Sequence, residues 1–127
     1  MKNPRADNYL MFLTIELKPW IDKNFYTRST PNSTFIGSSS MGRLLSLYAI
    51  CEYPDVVGGA IGMSTHLPIT KNEKLTVVVE SDLASIFREY LQFHLPNPVN
   101  HIIYMDYGDQ SLDQYNKDFQ IKVDEVL

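Results

Sequence analysis

The chain has 127 residues, 44% of them hydrophobic and 12% aromatic, so it can bury one real core and is not a disordered segment. Eleven basic and fifteen acidic residues give a net charge of -4 without any charged block, which disfavours nucleic acid and anionic membranes as partners. No apolar run approaches the ~20 residues of a membrane span, and no signal peptide follows Met1. We therefore expect a cytoplasmic location by default, although a leader could precede Met1.

The first half of the chain predicts a helix, a strand and a second helix. Residues 7–22 carry apolar side chains at helical spacing, and Pro19 should bend or end that helix. Residues 34–37 are typical of a buried strand, and residues 43–52 of a helix that stops before a proline. Cys51, the single cysteine, lies in this apolar stretch and is expected to pack in the core as a small hydrophobe. The apolar positions of the first helix are Tyr9, Phe12, Leu13, Leu17, Trp20 and Ile21.

The second half continues the alternation of strands and helices. Residues 56–63 and 101–106 are strand candidates, and residues 75–79 could form a further short strand. Residues 81–95 predict a helix ended by a proline, and a last helix starts near Ser111. Strands that alternate with helices favour an α/β fold, a parallel sheet with helices on both faces, built as a single domain over the whole chain.

Small residues at positions 38–42 separate the first predicted strand from the helix that follows. A sharp strand-to-helix turn that lifts a serine hydroxyl clear of a sheet needs small residues two before and two after that serine. With Ser40 at the apex, these neighbours are Ser38 and Gly42, and the N–H of Met41 could stabilise an oxyanion at the start of the helix. The spacing by itself favours a plain helix cap, because serine-rich turns before helices are common.

Three segments in order resemble one family. The stretch "GSSSMGRLLSLYAICEYPDVVGGAIGMSTH" (residues 37–66) is similar to the nucleophile region of the putative-esterase family, which includes S-formylglutathione hydrolases, enterochelin esterases and feruloyl esterases. "ELKPWIDKNFYT" (16–27) resembles the helix before the nucleophile strand, and "HIIYMDYGDQSLDQY" (101–115) the strand and loop of the catalytic acid. The resemblance implies an α/β-hydrolase fold, a triad in the order Ser, Asp, His, and hydrolysis of a small-molecule ester through an acyl-serine.

The resemblance also implies roles for individual residues. Ser40 matches the nucleophile and Met41 the oxyanion-hole donor. Asp113 is our choice for the catalytic acid, because it lies just past a strand at a loop-to-helix junction. Asp106 and Asp109 are the alternatives, and each of the three has a plain structural interpretation as a helix, strand-end or turn residue.

The chain departs from the family pattern in two places near Ser40. Ser38 stands where the family has its first glycine, and Arg43 where it has a second glycine after the nucleophile. We expect Arg43 to be solvated, with contact to an anionic substrate group as the alternative. No histidines or carboxylates have metal-ligand spacing, so neither a metal nor another cofactor is expected.

The larger departure concerns histidine. In the family the catalytic histidine follows the acid, whereas His66, His94 and His101 all precede Asp113. His66 is the one that we expect near the site, as a substrate-binding residue. We therefore expect a truncated hydrolase domain that also lacks early strands, has little activity alone, and self-associates through exposed sheet faces. The alternative is a non-catalytic binding or interaction protein that retains the scaffold.

Overall fold

The computed structural model describes residues 4–65, 82–108, 110 and 117–127. The candidate strand at residues 75–79 lies outside these ranges. The described elements are α1 (Pro4–Met11), a π-helical segment (Phe12–Leu17), α2 (Lys18–Asn24), a 3-10 turn (Pro31–Ser33), β1 (Phe35–Ser40), α3 (Gly42–Glu52), β2 (Gly59–Thr65), α4 (Asp82–His94), β3 (Ile102–Met105) and α5 (Lys117–Asp124).

The N-terminal helical region continues through Pro19. It begins at Pro4, three residues before the predicted start, and runs through the π-helical segment into α2, which ends at Asn24. A proline inside an α-helix lacks an N–H, and its ring clashes with the carbonyl four residues earlier. The wider π-helical turns directly before Pro19 relax this conflict. Pro19 therefore does not end the helix.

The buried stripe of this helical region also differs from the predicted one. Leu10 is fully buried and Thr14 nearly so, whereas Tyr9, Phe12 and Trp20 are each about half exposed. The hydroxyl of Thr14 donates to the carbonyl of Leu10 at 2.7 Å, so its polar group is satisfied inside the helix. The π-helical segment, Phe12–Leu17, places more residues in each turn and rotates the side chains after it away from a regular 3.6-residue stripe, whereas Leu10 and Tyr9 both precede it.

The three strands form one parallel sheet in the order β1-β2-β3. The register pairs Ile36 with Ala60, and Ala60 with Ile103. Parallel neighbours need crossover connections, and α3 and α4 lie between successive strands in the sequence. The α/β class expected from the alternation is confirmed.

Helix α3 packs on β1 and β2, and it also contacts α4. One cluster of core residues joins α3, α4 and α5 through Leu47, Phe87, Leu91 and Val123. A second cluster joins α3 to the sheet through Ile50, Val57 and Ala60. Cys51 packs against both clusters, as the sequence predicts. Burial raises the pKa of its thiol to about 12.

The two faces of the sheet have different surroundings, because successive side chains on a strand point to opposite sides. Ile36, Ala60 and Ile103 face the helices and contribute to the core. The opposite face carries apolar side chains that are between 37% and 65% exposed in the described part of the chain: Phe35, Ile61, Met63, Ile102 and Tyr104. Within the described ranges, no helix has the length and apolar character needed to cross a bilayer.

Candidate active site at the carboxyl end of β1

The chain turns sharply at Ser40, the last residue of β1. Its φ is +54°, a left-handed conformation that costs an L-residue about 1–2 kcal/mol. Met41 returns to right-handed helical angles, and α3 begins at Gly42. Ser40 and Met41 are both exposed, so this strand–turn–helix corner presents its side chains to solvent.

Close packing at this corner explains its small residues. A Cβ atom added to Gly42 would lie 3.0 Å from the Cβ of Ser38 and 3.3 Å from its Oγ. Because position 38 carries a side chain, position 42 has room only for glycine. The Oγ of Ser38 lies 2.6 Å from the Oγ of Ser46, a buried residue of α3. The serine at position 38 thus fits here because its hydroxyl has a hydrogen-bond partner.

The corner also lies at the start of a helix of eleven residues. The first N–H groups of a helix have no partner within it, and the helix dipole adds positive potential at the same end. The amide of Met41 belongs to this region, since Met41 is the residue that precedes α3. An anion that forms beside Ser40 would be stabilised there.

Asp106 lies at the same edge of the sheet as Ser40, directly after β3. Its N–H donates to the carbonyl of Gly62 at 3.0 Å, and its Oδ1 accepts from the N–H of Ser64 at 3.0 Å. Ser64 also has a positive φ, +45°, and the next residue, Thr65, pairs with Ser40 after a shift in register. The carboxylate of Asp106 is therefore engaged by the end of β2. Asp109 and Asp113 lie outside the described residues, and so does His66.

The expectation that Arg43 is solvated is wrong. Its side chain is 0% exposed and crosses Gly62, where an added Cβ would overlap the Cγ and Cδ of the arginine. Its guanidinium donates to the carbonyl of Asp106 at 3.4 Å and to the sulfur of Met105. Burial lowers the pKa of Arg43 to about 10, an effect that the carboxylates of Asp124 and Asp106 oppose. Burial also rules out contact with a substrate in solution.

The position of Arg43 could have been predicted. Arg43, Leu47 and Ile50 follow the i, i+4, i+7 spacing of one helix face, and all three are buried. Gly62 supplies a second signal, because a glycine inside a strand often marks the close approach of another group. Both signals oppose the general preference of arginine for solvent.

The described histidines lie at the opposite edge of the sheet from Ser40. His94 ends α4, its Nδ1 lies 2.8 Å from the carbonyl oxygen of Tyr90, and its ring stacks on that tyrosine. His101 precedes β3, and its two ring nitrogens each lie 3.0 Å from a backbone carbonyl oxygen, of Asn97 and of Pro54. Strand ends in a parallel sheet share an edge, so residues that precede β3 are separated from Ser40 by the length of the strands.

Within the described residues, no three His, Cys, Asp or Glu side chains are grouped as metal ligands would be. The fold and this site together define an α/β protein with a strained strand–turn–helix corner at the carboxyl edge of a parallel sheet. The model of the family described as putative esterase matches residues 1–76, more than half of the chain, and the chain belongs to that family. Membership supports a hydrolase role at the level of the family. No curated protein matches the chain significantly.

Proposed function

We propose that this protein is a serine carboxylic-ester hydrolase that acts on a small-molecule ester through an acyl-serine on Ser40. The observation that carries the proposal is the φ of +54° at Ser40, between a strand and a helix. A strained turn in this position is the arrangement known as a nucleophile elbow. Strain of this kind persists where the surrounding structure enforces it, and it is frequent at active sites.

In this mechanism the Oγ of Ser40 attacks the carbonyl carbon of the ester while a general base takes its proton. The carbonyl oxygen becomes an oxyanion, which the N–H of Met41 stabilises at the start of α3. The tetrahedral intermediate collapses, the alcohol leaves with a proton, and the acyl group remains on Ser40. Water then attacks the acyl-serine by the same route and releases the carboxylic acid and the free serine.

Asp113 is our choice for the acid that orients the base. The bond from the N–H of Ser64 to the carboxylate of Asp106 favours an acid further along the chain, since Asp106 already has a structural partner. We propose that His66 contributes to substrate binding, because in sequence it directly follows Thr65, the register partner of Ser40. Neither His94 nor His101 can take the proton of Ser40 from the opposite edge of the sheet. His66 precedes Asp113 and does not fit the order Ser, Asp, His, so we expect these 127 residues alone to hydrolyse esters slowly.

The test is covalent labelling of the chain with a fluorophosphonate, followed by peptide mass spectrometry. We expect the label on Ser40 and its loss in Ser40→Ala. Ser39→Ala is the matched control, because Ser39 is an exposed serine one residue earlier in the same strand. Hydrolysis of p-nitrophenyl acetate should fall in Ser40→Ala and not in Ser39→Ala. Labelling that survives in Ser40→Ala would show that Ser40 is not the nucleophile.

The competing proposal is a binding protein that keeps the scaffold without the chemistry. Its sequence support was the pair of departures at Ser38 and Arg43. Ser38 is hydrogen-bonded to Ser46, and the side chain of Arg43 fits over Gly62. Both departures thus have a structural role, and neither is evidence that a catalytic site has been lost. Saturable binding of an ester with no labelling of Ser40 would favour this alternative.

A further inference from the structure

The buried side chain of Arg43 connects the three strand ends near Ser40. Arg43 is three residues from Ser40 along the chain, and its guanidinium donates to the carbonyl of Asp106 after β3. The carboxylate of Asp106 in turn accepts from the N–H of Ser64 at the end of β2. Thr65, the next residue, pairs with Ser40. These contacts form a closed ring around the corner, and we call Arg43, Asp106, Ser64 and Thr65 with Ser40 the corner ring.

The properties of Arg43 indicate that it positions other residues rather than stabilises the folded state. Burial of a cation is costly, and it favours folding only where the partners compensate fully. Here the Nε of Arg43 is buried without a hydrogen-bond partner among the described residues. A hydrophobic side chain of similar length could fill the cleft over Gly62 without this cost. Such a side chain has no N–H group, however, and could not donate a hydrogen bond from α3 to the carbonyl of Asp106.

We infer that Arg43 is a positioning residue, which sets the segment after β3 in register with the Ser40 corner. This inference rests on the proposed function, because the segment after β3 carries the candidate acids. Asp106 joins β3 to the guanidinium through its carbonyl and to β2 through its carboxylate. Loss of the guanidinium therefore removes the hydrogen bond to the carbonyl of Asp106, and we expect this to weaken the hydrogen bond between the carboxylate of Asp106 and the N–H of Ser64.

The test compares Arg43→Met, which keeps the length of the side chain and removes its donors, with Arg43→Lys, which keeps the charge and removes the planar fork. We expect Arg43→Met to lower the maximal rate of fluorophosphonate labelling at Ser40 by about 10-fold or more, with the half-saturating concentration unchanged within about 2-fold. Arg43→Lys should recover part of that rate. The control is Leu91→Ala, a fully buried core residue outside the corner ring, measured where all variants are folded.

A second measurement needs no activity. Hydrogen exchange at the amide of Ser64, read by NMR, should be at least about 10-fold faster in Arg43→Met than in Leu91→Ala at equal stability. Exchange at Ser64 that stays at the wild-type rate in Arg43→Met would overturn the inference, whatever the labelling shows. An equal loss of labelling in Leu91→Ala would also overturn it. If wild-type Ser40 takes no label while Ser64 responds as expected, the proposed function fails and the positioning role stands.

Discussion

Ser40 is held in a backbone conformation that glycine would adopt without strain, and its neighbours show why the fold maintains it. Gly42 and Ser38 leave room for the turn, and the bond between Ser38 and Ser46 fastens the strand to the helix below it. The turn therefore exposes the hydroxyl group of Ser40 and, through its backbone strain, lowers the stability of the folded state. Such a loss of stability is common where a site needs a strained residue.

The strain at Ser40 predicts an order of stabilities. Ser40→Gly should be more stable than Ser40→Ala by about 1 kcal/mol, because glycine removes the left-handed penalty, less its greater entropy in the unfolded chain. Urea unfolding measures the difference. At Ser39, in regular extended structure, the order should reverse, since glycine there only weakens the strand. A Ser40→Gly variant that is less stable than Ser40→Ala, as expected at Ser39, would show that the turn stores no strain.

For single residues, the sequence predicts correctly where steric crowding restricts side-chain size, and it is misleading where a charged side chain is buried. The need for small residues at positions 38 and 42 follows from crowding alone, and the added-Cβ distance of 3.0 Å agrees with it. Residue type alone predicts that Arg43 is solvated, because charged residues usually are. Helix-face spacing with Leu47 and Ile50 indicates that position 43 is buried, but no local pattern indicates its partner, Asp106, which is 63 residues away.

At the scale of elements, the spacing of apolar residues predicts that the N-terminal region is helical but does not predict its details. Its existence follows from periodicity, but the π-helical segment and the buried pair Leu10 and Thr14 do not. Tertiary contacts determine which stripe is buried, among them the bond from the Tyr48 hydroxyl on α3 to the Asp7 carboxylate on α1, at 2.7 Å. This bond connects the helical region to the helix that begins beside Ser40.

Removal of this bond should loosen α1 selectively. We expect Tyr48→Phe to lower the free energy of unfolding by about 1–2 kcal/mol, since the acceptor is a charged group and partly solvated. Hydrogen exchange should accelerate in α1 more than in β2. Tyr9→Phe, at a half-exposed position of the same helix, is the control and should change neither quantity. Uniform acceleration over the whole chain would argue against a tether that is specific to α1.

At the scale of the whole molecule, the alternation of strands and helices was sufficient to predict a parallel sheet, because short crossovers leave few other arrangements. The order of the strands also follows the sequence. The surroundings of each face were harder to predict. Both faces have apolar side chains, and pattern alone cannot distinguish a covered face from the exposed one that carries Ile102 and Tyr104.

The exposed face should make the chain self-associate at higher concentration, since contiguous apolar surface tends to become an interface. Sedimentation velocity over a range of concentrations should show larger species, and the double variant Ile102→Thr with Tyr104→Ser should shift them towards monomer. Val99→Thr is the control, because Val99 is 84% exposed on a loop before β3. Association of equal strength in the double variant would place the contact elsewhere.

Three acidic groups should make the folded chain sensitive to alkali. Burial raises the pKa of Cys51 to about 12 from 9.0. Burial, followed by hydrogen bonds to Asp7 and Glu52 respectively, raises the pKa values of Tyr48 and Tyr90 above their ordinary value of 10.0. The unfolded chain therefore loses these protons first as the pH rises. Since the native state then binds more protons, stability must fall with increasing pH from about 9.

Arg43 acts in the opposite sense. Its native pKa of about 10 lies below 12.5, so the native state releases this proton before the unfolded chain does, and stability gains above pH 10. Between about pH 9 and 10 the Cys51 thiol of the unfolded chain ionises and contributes to the fall, and above pH 10 the two tyrosines of the unfolded chain outweigh the single proton of Arg43, so the fall continues. The urea midpoint at pH 8, 9 and 10 measures it. Cys51→Ala should show a shallower fall over that interval, and a flat wild-type midpoint would mean that the thiol ionises as readily in the native state.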